Sequence, residues 1–87
     1  MGPGRIIQSV SEEFSVEEEA IMSPLRSKAV SMARHEAMCR IAETFPMFSW
    51  VEIGRMFNRD HSTVIYAWKT MRPGKARGST PPPRLAA

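Results

Sequence analysis

The stretch "SWVEIGRMFNRDHSTVIYAWKTM", residues 49–71, decides the fold of this 87-residue chain. Its first four letters have the spacing of a capping box, in which Ser49 and Glu52 satisfy each other's backbone N–H groups. A short helix is therefore predicted to begin there and to end near Phe57.

The second half of the stretch predicts a turn followed by another helix. Asn58 readily adopts the left-handed backbone conformation that closes a helix. Asp60 is a favourable N-cap residue, so the last helix is predicted over about 61–72. Gly54 costs the first helix about 1 kcal/mol relative to Ala, and close packing of the second helix would offset that cost. Two short helices joined by a tight turn are the pattern of a helix-turn-helix.

Two shorter helical patterns precede this stretch. Apolar residues repeat at three- and four-residue spacing in 5–14 and predict a first amphipathic helix. The letters "SVEE", residues 15–18, have the form of a second capping box, which would open a short helical turn through Ile21.

The longest helix is predicted from Ala29 to about Thr44. Its apolar positions form one stripe, and Glu36 and Arg40 are spaced to pair on its outer side. Pro46 lies just beyond its end. Alternating β-branched runs and hairpin dipeptides are absent from the sequence. The fold class predicted is therefore all-α, a small helical bundle with a helix-turn-helix.

The length allows one small domain. Residues 1–4 are predicted to be a disordered N-terminus or a cloning remnant, and 5–72 to form the domain. From Pro73 the composition changes to "PGKARGSTPPPRLAA", so 73–87 is predicted to be a disordered basic, Pro-rich tail.

Charge is unevenly distributed along the chain. Residues 1–22 carry one Arg and five Glu, whereas 23–87 carry eleven Lys or Arg against four acids. A basic part of this kind favours a polyanionic partner, although a solvated surface explains it equally well. The single cysteine, Cys39, cannot form an internal disulfide or a zinc thiol pair. With no secretory signal, lipidation motif or membrane span, a cytoplasmic, nucleoid-associated protein is expected.

The neighbours Asp60, His61 and Ser62 suggest catalysis at first sight. On a helix they lie about 100° apart, so they cannot form the convergent chain of a nucleophile triad. His61 also lacks a partner at helical spacing for a metal ion. We therefore expect no enzyme activity, cofactor or metal, and expect His35 to be simply exposed. Polar residues at the first turn of a recognition helix can instead reach base edges.

The run "EIGRMFNRDHSTVIYA" resembles the C-terminal DNA-binding domain (domain IV) of the bacterial replication initiator DnaA, a Trp-repressor-like helix-turn-helix. The family signature reads approximately E-I-G-x-x-F-G-x-R-D-H-[ST]-T-V. Upstream, "LRSKAVSMARHEAM" resembles the family's basic loop and the start of its long helix. The resemblance implies that Arg26 enters a DNA minor groove and that duplexes of the TTATCCACA type are recognised. It also implies major-groove contacts with bases and phosphates by Arg59, Asp60, His61, Ser62 and Thr63.

Three departures qualify the resemblance. The turn "FNRDH" is one residue shorter than the initiators' "FGGRDH", and the loop "TFPMFSW" is about one residue longer. Lys28 replaces a second basic-loop arginine. No G-x-x-x-x-G-K-[ST] motif occurs, so no ATPase activity is expected. The chain is interpreted as a free-standing module, from a phage or mobile element, or as a fragment of a longer protein.

Five further residues are candidate DNA contacts, each with a simpler explanation. Lys28 belongs to the basic loop, and Arg34 lies on the polar face of the long helix. Each of these two cations either contacts a phosphate or is simply solvated. Ser49 could offer helix N-terminal amides to a phosphate, but its capping role explains it equally. Tyr66 and Lys69 lie on the outward side of the last helix.

These observations predict a protein that binds double-stranded DNA with sequence preference, as a monomer. The last helix would enter the major groove and the 24–28 loop the minor groove. Its output would be regulation of transcription or of DNA replication. Two alternatives remain open: contact of RNA polymerase or replication proteins by the acidic first helix (Glu12, Glu13, 17–19), and a protein–protein adaptor that uses the 59–63 face.

Overall fold

A computed structural model of the protein describes residues 2–77. This part of the chain is all-α, as predicted, and forms five helices with no strand. None of these helices is long and apolar enough to cross a lipid bilayer. The helices are α1 (Pro3–Phe14), α2 (Glu18–Met22), α3 (Lys28–Thr44), α4 (Trp50–Met56) and α5 (His61–Met71).

The long helix α3 forms the centre of the bundle and packs against each of the other four described helices. Its predicted apolar stripe is confirmed, because Ala33, Ala37 and Ile41 are fully buried. Ile53 of α4 and Val64 of α5 are buried with them. Burying one such large aliphatic side chain contributes about 1.5–3 kcal/mol to folding, so α3 holds the helix-turn-helix by its apolar face.

The helix-turn-helix forms through the local interactions predicted for it. The Ser49 hydroxyl accepts from the Glu52 amide at 3.0 Å, and the Glu52 carboxylate accepts from the Ser49 amide at 2.8 Å. Asn58 has a φ of 56° and ends the turn after α4 in the left-handed region. The Asp60 carboxylate caps α5 by accepting from the Ser62 amide.

Gly54 lies where the backbone of the turn comes closest to α4. A Cβ atom on Gly54 would stand 2.7 Å from the carbonyl oxygen of Arg59, which is closer than van der Waals contact permits. The Arg59 amide donates to the Gly54 carbonyl at 2.8 Å. The glycine is therefore required by the turn backbone that leads into α5, rather than by the body of that helix.

We expect Gly54→Ala to destabilise the protein by about 1–3 kcal/mol, because the clash with the turn backbone outweighs the better helix propensity of Ala. Urea unfolding monitored by circular dichroism measures the loss. Gly4→Ala is the matched control: Gly4 is also helical, and a Cβ there meets nothing within 4 Å. Equal stability of the two variants would contradict the close approach.

Two predicted boundaries near the N-terminus are wrong. Pro3 and Gly4 are helical, because a proline at the first helical position loses no hydrogen bond and has its φ already set. They therefore do not belong to a disordered N-terminus. Ser15 does not open α2 as a capping residue: it takes a left-handed φ of 54° and closes α1, while Glu17 occupies the N-cap of α2 without a side-chain bond.

The predicted disordered tail also begins too early. Residues 73–77 pack against the domain: the Trp68 indole donates to the Lys75 carbonyl at 2.9 Å, and the Lys75 ammonium lies 2.8 Å from the Glu43 carboxylate. The remainder of the predicted tail, 78–87, lies outside the described residues.

Arg77 makes the most extensive of these contacts. Its guanidinium donates to the carbonyls of Ala42 and Phe45, at 3.1 Å each, and to that of Phe48. It also lies over the Trp50 ring, 4.6 Å from the centroid, where a cation–π interaction is favourable. Arg77 thus bonds carbonyls at the end of α3 and in the α3–α4 loop, beyond the reach of the helix's own amides. The Phe45 carbonyl also accepts from the Phe48 amide at 3.0 Å.

We expect Arg77→Ala to lower the free energy of unfolding by about 1–3 kcal/mol, because these carbonyls lose their charged donor. Arg84→Ala, at a position beyond the described residues, removes the same charge and is the control. Thermal unfolding of both variants, followed by circular dichroism, checks the difference. If both lose the same stability, the contacts of Arg77 add nothing beyond its charge.

Candidate nucleic-acid interface

Arg34 is not on the polar surface of α3, where it was predicted to contact phosphate or solvent. Its side chain is buried, with an exposed fraction of 3%. The guanidinium donates to the carbonyls of Ile21 and Ser23 at 2.7 Å each, of Leu25 at 2.9 Å and of Ala20 at 3.2 Å. The prediction is wrong because the carbonyls at the end of α2 and in the following loop turn inward and need a donor.

Arg59 joins the basic loop to the turn of the helix-turn-helix. Its guanidinium donates to the Ser23 carbonyl at 3.1 Å, the same oxygen that accepts from Arg34. Burial, and then the nearby charges of Arg59 and Arg26, lower the pKa of Arg34 from its ordinary value. The three cations therefore lie close together, and the loop that carries Arg26 is held against the turn that precedes α5.

We expect Arg34→Ala to destabilise the fold by about 2–4 kcal/mol, since the carbonyls of Ile21 and Leu25 would lose their charged donor and a large buried side chain would be removed. Arg26→Ala removes the same charge from an exposed side chain of the basic loop that Arg34 anchors, and should change stability by less than about 0.5 kcal/mol. Chemical unfolding of both variants measures this. A small loss for Arg34→Ala would contradict the buried anchor.

The exposed face of α5 carries the predicted contact residues of that helix. His61, Ser62, Tyr66 and Lys69 are exposed, and Thr63 is half-buried. Their exposure follows from the helical period, because Val64, Ala67 and Trp68 turn to the core. This face therefore offers an imidazole, a hydroxyl, a phenol and an ammonium to solvent or to a partner.

Asp60, His61 and Ser62 come closer together than predicted, but in a capping arrangement. The Ser62 hydroxyl donates directly to the Asp60 carboxylate at 2.6 Å, and the His61 Nδ1 lies 3.7 Å from the same carboxylate. The bond from Ser62 lowers the pKa of Asp60 below its ordinary value. A triad needs the imidazole between carboxylate and hydroxyl, and here the hydroxyl hydrogen points to the carboxylate itself.

A groove of about 390 Å³ connects the basic loop with α5. It brings together five predicted site residues and adds two that were not predicted, Ser31 and His35. His35 is half-buried, so the expectation that it is simply exposed is wrong. Ser31 and His35 are four residues apart on α3 and therefore lie on one helix face. This spacing is the feature of the sequence that could have predicted that they share a site. The lining residues are Arg26, Ser31, Arg34, His35, Arg59, Thr63 and Tyr66.

Besides Asp60, His61 and Ser62, three predicted site residues are exposed without lining this groove. Lys28 is the first residue of α3 rather than part of the loop, and Ser27 caps that helix by accepting from the Val30 amide. Ser49 is exposed at the N-cap of α4, and Lys69 is exposed in the last turns of α5.

A second face of α3 carries a network of ion pairs. Glu36 accepts from Arg40 at 2.7 Å and from Arg72 at 3.0 Å, so the predicted Glu36–Arg40 pair exists. It is not on the outside, because only 9% of Glu36 is exposed. Arg40 also binds Glu13 of α1 at 2.7 Å, and Arg72 binds Glu43 at 3.0 Å. These acids are therefore already paired within the domain.

Residues 2–77 contain no group of three His, Cys, Asp or Glu side chains placed to hold a metal ion. Cys39 is buried in the core, and burial raises the pKa of its thiol to about 11. The thiol donates weakly to the Ala67 carbonyl at 3.5 Å. Cys39 thus serves packing between α3 and α5, as predicted.

A family model described as the bacterial dnaA protein helix-turn-helix matches residues 3–71. The chain belongs to this family. The resemblance to the DnaA C-terminal domain predicted from the sequence is thereby confirmed. The match covers α1 to α5, and with them the residues of this chain that form the basic loop, the groove and the exposed face of α5.

Individual DnaA relatives support the same assignment. Chromosomal replication initiator protein DnaA of Desulfotalea psychrophila is 40% identical over 62 residues, which are 71% of this chain and 13% of the relative. DnaA 2 of Chlamydia trachomatis is 41% identical over 66 residues (76% and 14%), and DnaA 2 of Protochlamydia amoebophila is 33% identical over 70 residues (80% and 15%). The chain thus spans about one seventh of these curated relatives. No solved structure matches it.

Proposed function

We propose that this chain binds double-stranded DNA with sequence preference, with α5 as the recognition helix in the major groove and the basic loop in the neighbouring minor groove. One observation carries the proposal. The Ser23 carbonyl accepts from both Arg34 and Arg59, which holds the loop of Arg26 against the turn that starts α5. The basic loop and the start of α5, the two elements proposed to face DNA, are thereby held at a fixed distance from each other. Membership of the DnaA helix-turn-helix family supports it.

The residues have different roles in this proposal. His61 and Ser62, exposed in the first turn of α5, would read base edges, because a recognition helix presents its N-terminal residues to the major groove. Asp60 would cap the helix and could accept from a cytosine amino group. Arg26 would enter the minor groove, where a narrow A·T-rich segment strengthens the negative potential. Arg34 is no longer proposed as a DNA contact, because its side chain is buried. Phosphate contacts would come from Lys28, Ser49, Arg59, Thr63, Tyr66 and Lys69.

The biological output that we propose is regulation of DNA replication or of transcription, without ATPase activity from this chain. The relatives named above are chromosomal replication initiators, which favours replication. A protein contact through the acidic first helices would rest on the exposed Glu12 and 17–19, since Glu13 is paired with Arg40.

Selection from a random duplex pool, followed by binding measurements at increasing salt, tests the proposal. We expect the logarithm of the affinity for the recovered site to fall linearly with the logarithm of salt concentration, with a slope of magnitude about 0.9 per phosphate neutralised. A slope near zero, or no recovered site, would contradict DNA binding and favour a protein adaptor. Competition by a TTATCCACA duplex against a scrambled one asks whether initiator-type specificity is kept.

Three variants separate base recognition from general attraction. His61→Ala should cost about 1–3 kcal/mol on the recovered site and little on random duplex, because it removes a contact that depends on sequence. Arg26→Ala should weaken binding most on sites with an A·T-rich flank. Arg84→Ala, beyond the described residues, should weaken binding slightly and equally on every duplex. A uniform loss for Arg26→Ala would make Arg26 a phosphate anchor only.

A further inference from the structure

The groove between the basic loop and α5 has an unbalanced charge. Arg26 lies on the loop, Arg34 on α3 and Arg59 in the turn, and all three line it. None of the seven lining residues carries a carboxylate. On the other charged face of α3 the cations are matched instead, since Glu36 and Glu43 hold Arg72.

Neutral donors complete the groove. The hydroxyl groups of Ser31, Thr63 and Tyr66 line it together with the guanidinium groups of Arg26 and Arg59. The buried guanidinium of Arg34 donates to backbone carbonyls and adds its charge to the groove. Guanidinium groups and hydroxyls are the side chains that hydrogen-bond the oxygens of a phosphate. A groove with this lining, open between two elements that would each face DNA, matches a singly charged phosphodiester rather than a neutral or cationic ligand.

His35 is the one imidazole that lines the groove. Its ring meets the Tyr66 ring edge-to-face, with the centroids 6.0 Å apart, which places it beside the middle of α5. The charged groups around it come from three elements: Arg34 on its own helix, Arg59 in the turn and Arg26 on the loop. Burial, and then the charges of Arg34 and Arg59, lower the pKa of His35 below its ordinary 6.5.

We propose that this groove is an anion site that seats one backbone phosphodiester of the bound duplex, and that His35 takes up a proton when the phosphate enters. The proposal rests on the DNA binding proposed above. An anion among these cations cancels the repulsion that opposes a charged imidazole, and it gives the imidazolium an oxygen to bond. No bond breaks: the proton comes from solvent and adds to the free ring nitrogen.

The sign of the pH dependence follows from this linkage. In the free protein, burial and the charges of Arg34 and Arg59 lower the pKa of His35 and so favour its neutral form. In the complex the phosphate raises that pKa. Affinity therefore rises as the pH falls through the window between the two values, by at most about tenfold per pH unit for one proton. Histidine is the residue type whose ordinary pKa lies near neutrality, and His35 is the histidine that lines the groove, so it is the titrating group that we test.

The chain contains two histidines, which makes the test direct. Anisotropy titrations of a labelled duplex carrying the selected site, at constant ionic strength from about pH 5.5 to 8, compare three proteins. These are the wild type, His35→Gln, which cannot titrate but can still bond an oxygen, and His61→Gln, which removes the other histidine. Because His61 is itself a proposed DNA contact, His61→Gln is compared by the pH slope of its affinity and not by the affinity itself. Proton NMR of the wild-type imidazoles, assigned with the same variants, reports the pKa of each histidine with and without duplex.

We expect wild-type affinity to rise towards acid pH by roughly three- to tenfold, a slope lost in His35→Gln and kept in His61→Gln. The His35 NMR signal should titrate below 6.5 in the free protein and at least about one pH unit higher with duplex. A full pH slope in His35→Gln, or a pKa of His35 unmoved by duplex, would overturn the proposal. Salt-sensitive binding with no pH slope would overturn it while leaving the proposed function intact. Absence of binding at every pH would contradict both this proposal and the proposed DNA binding.

Discussion

The buried guanidinium of Arg34 is the interaction on which the arrangement of the surface depends. A charged group taken out of water is tolerated only when its donors are satisfied, and here the acceptors are carbonyls of α2 and the basic loop. The loop is therefore held by the core helix α3 in addition to the local hydrogen bonds of Ser23. Because the Ser23 carbonyl also accepts from Arg59, the same anchor sets the distance between loop and helix-turn-helix.

The partition of charge on α3 follows from the same packing. One face buries Glu36 and surrounds it with Arg40 and Arg72, so these charges cancel locally. Arg72, at the end of α5, pairs with Glu36 and Glu43 of α3, so the network joins the two helices. Separating the helices would leave part-buried charges without a partner, which is unfavourable. The other face presents Ser31 and His35 to a groove lined by arginines. The formal net charge of +3 is therefore unevenly distributed: the ion-pair face of α3 is locally balanced, and the face with the groove is cationic.

Backbone constraints decide how the recognition helix leaves the turn. Gly54 lets the Arg59 carbonyl lie against α4, and Asn58 takes the positive φ that reverses the chain within few residues. The compact turn matches the one-residue shortening seen in the sequence. At the far end, Arg77 satisfies the carbonyls that follow α3, so a segment with a tail-like composition becomes part of the domain.

The sequence by itself determined the helices and the helix-turn-helix, and it identified the DnaA family. Caps such as Ser49 and Asp60 act over two or three residues, and apolar periodicity acts over one turn, so both can be read locally. Only the tertiary structure decided that Arg34 is an anchor, that His35 lines a groove and that Arg77 docks. The partners of Arg34 lie 9 to 14 residues away and those of Arg77 29 to 35. Composition describes a residue's chemistry, but only packing brings a distant carbonyl or ring to it.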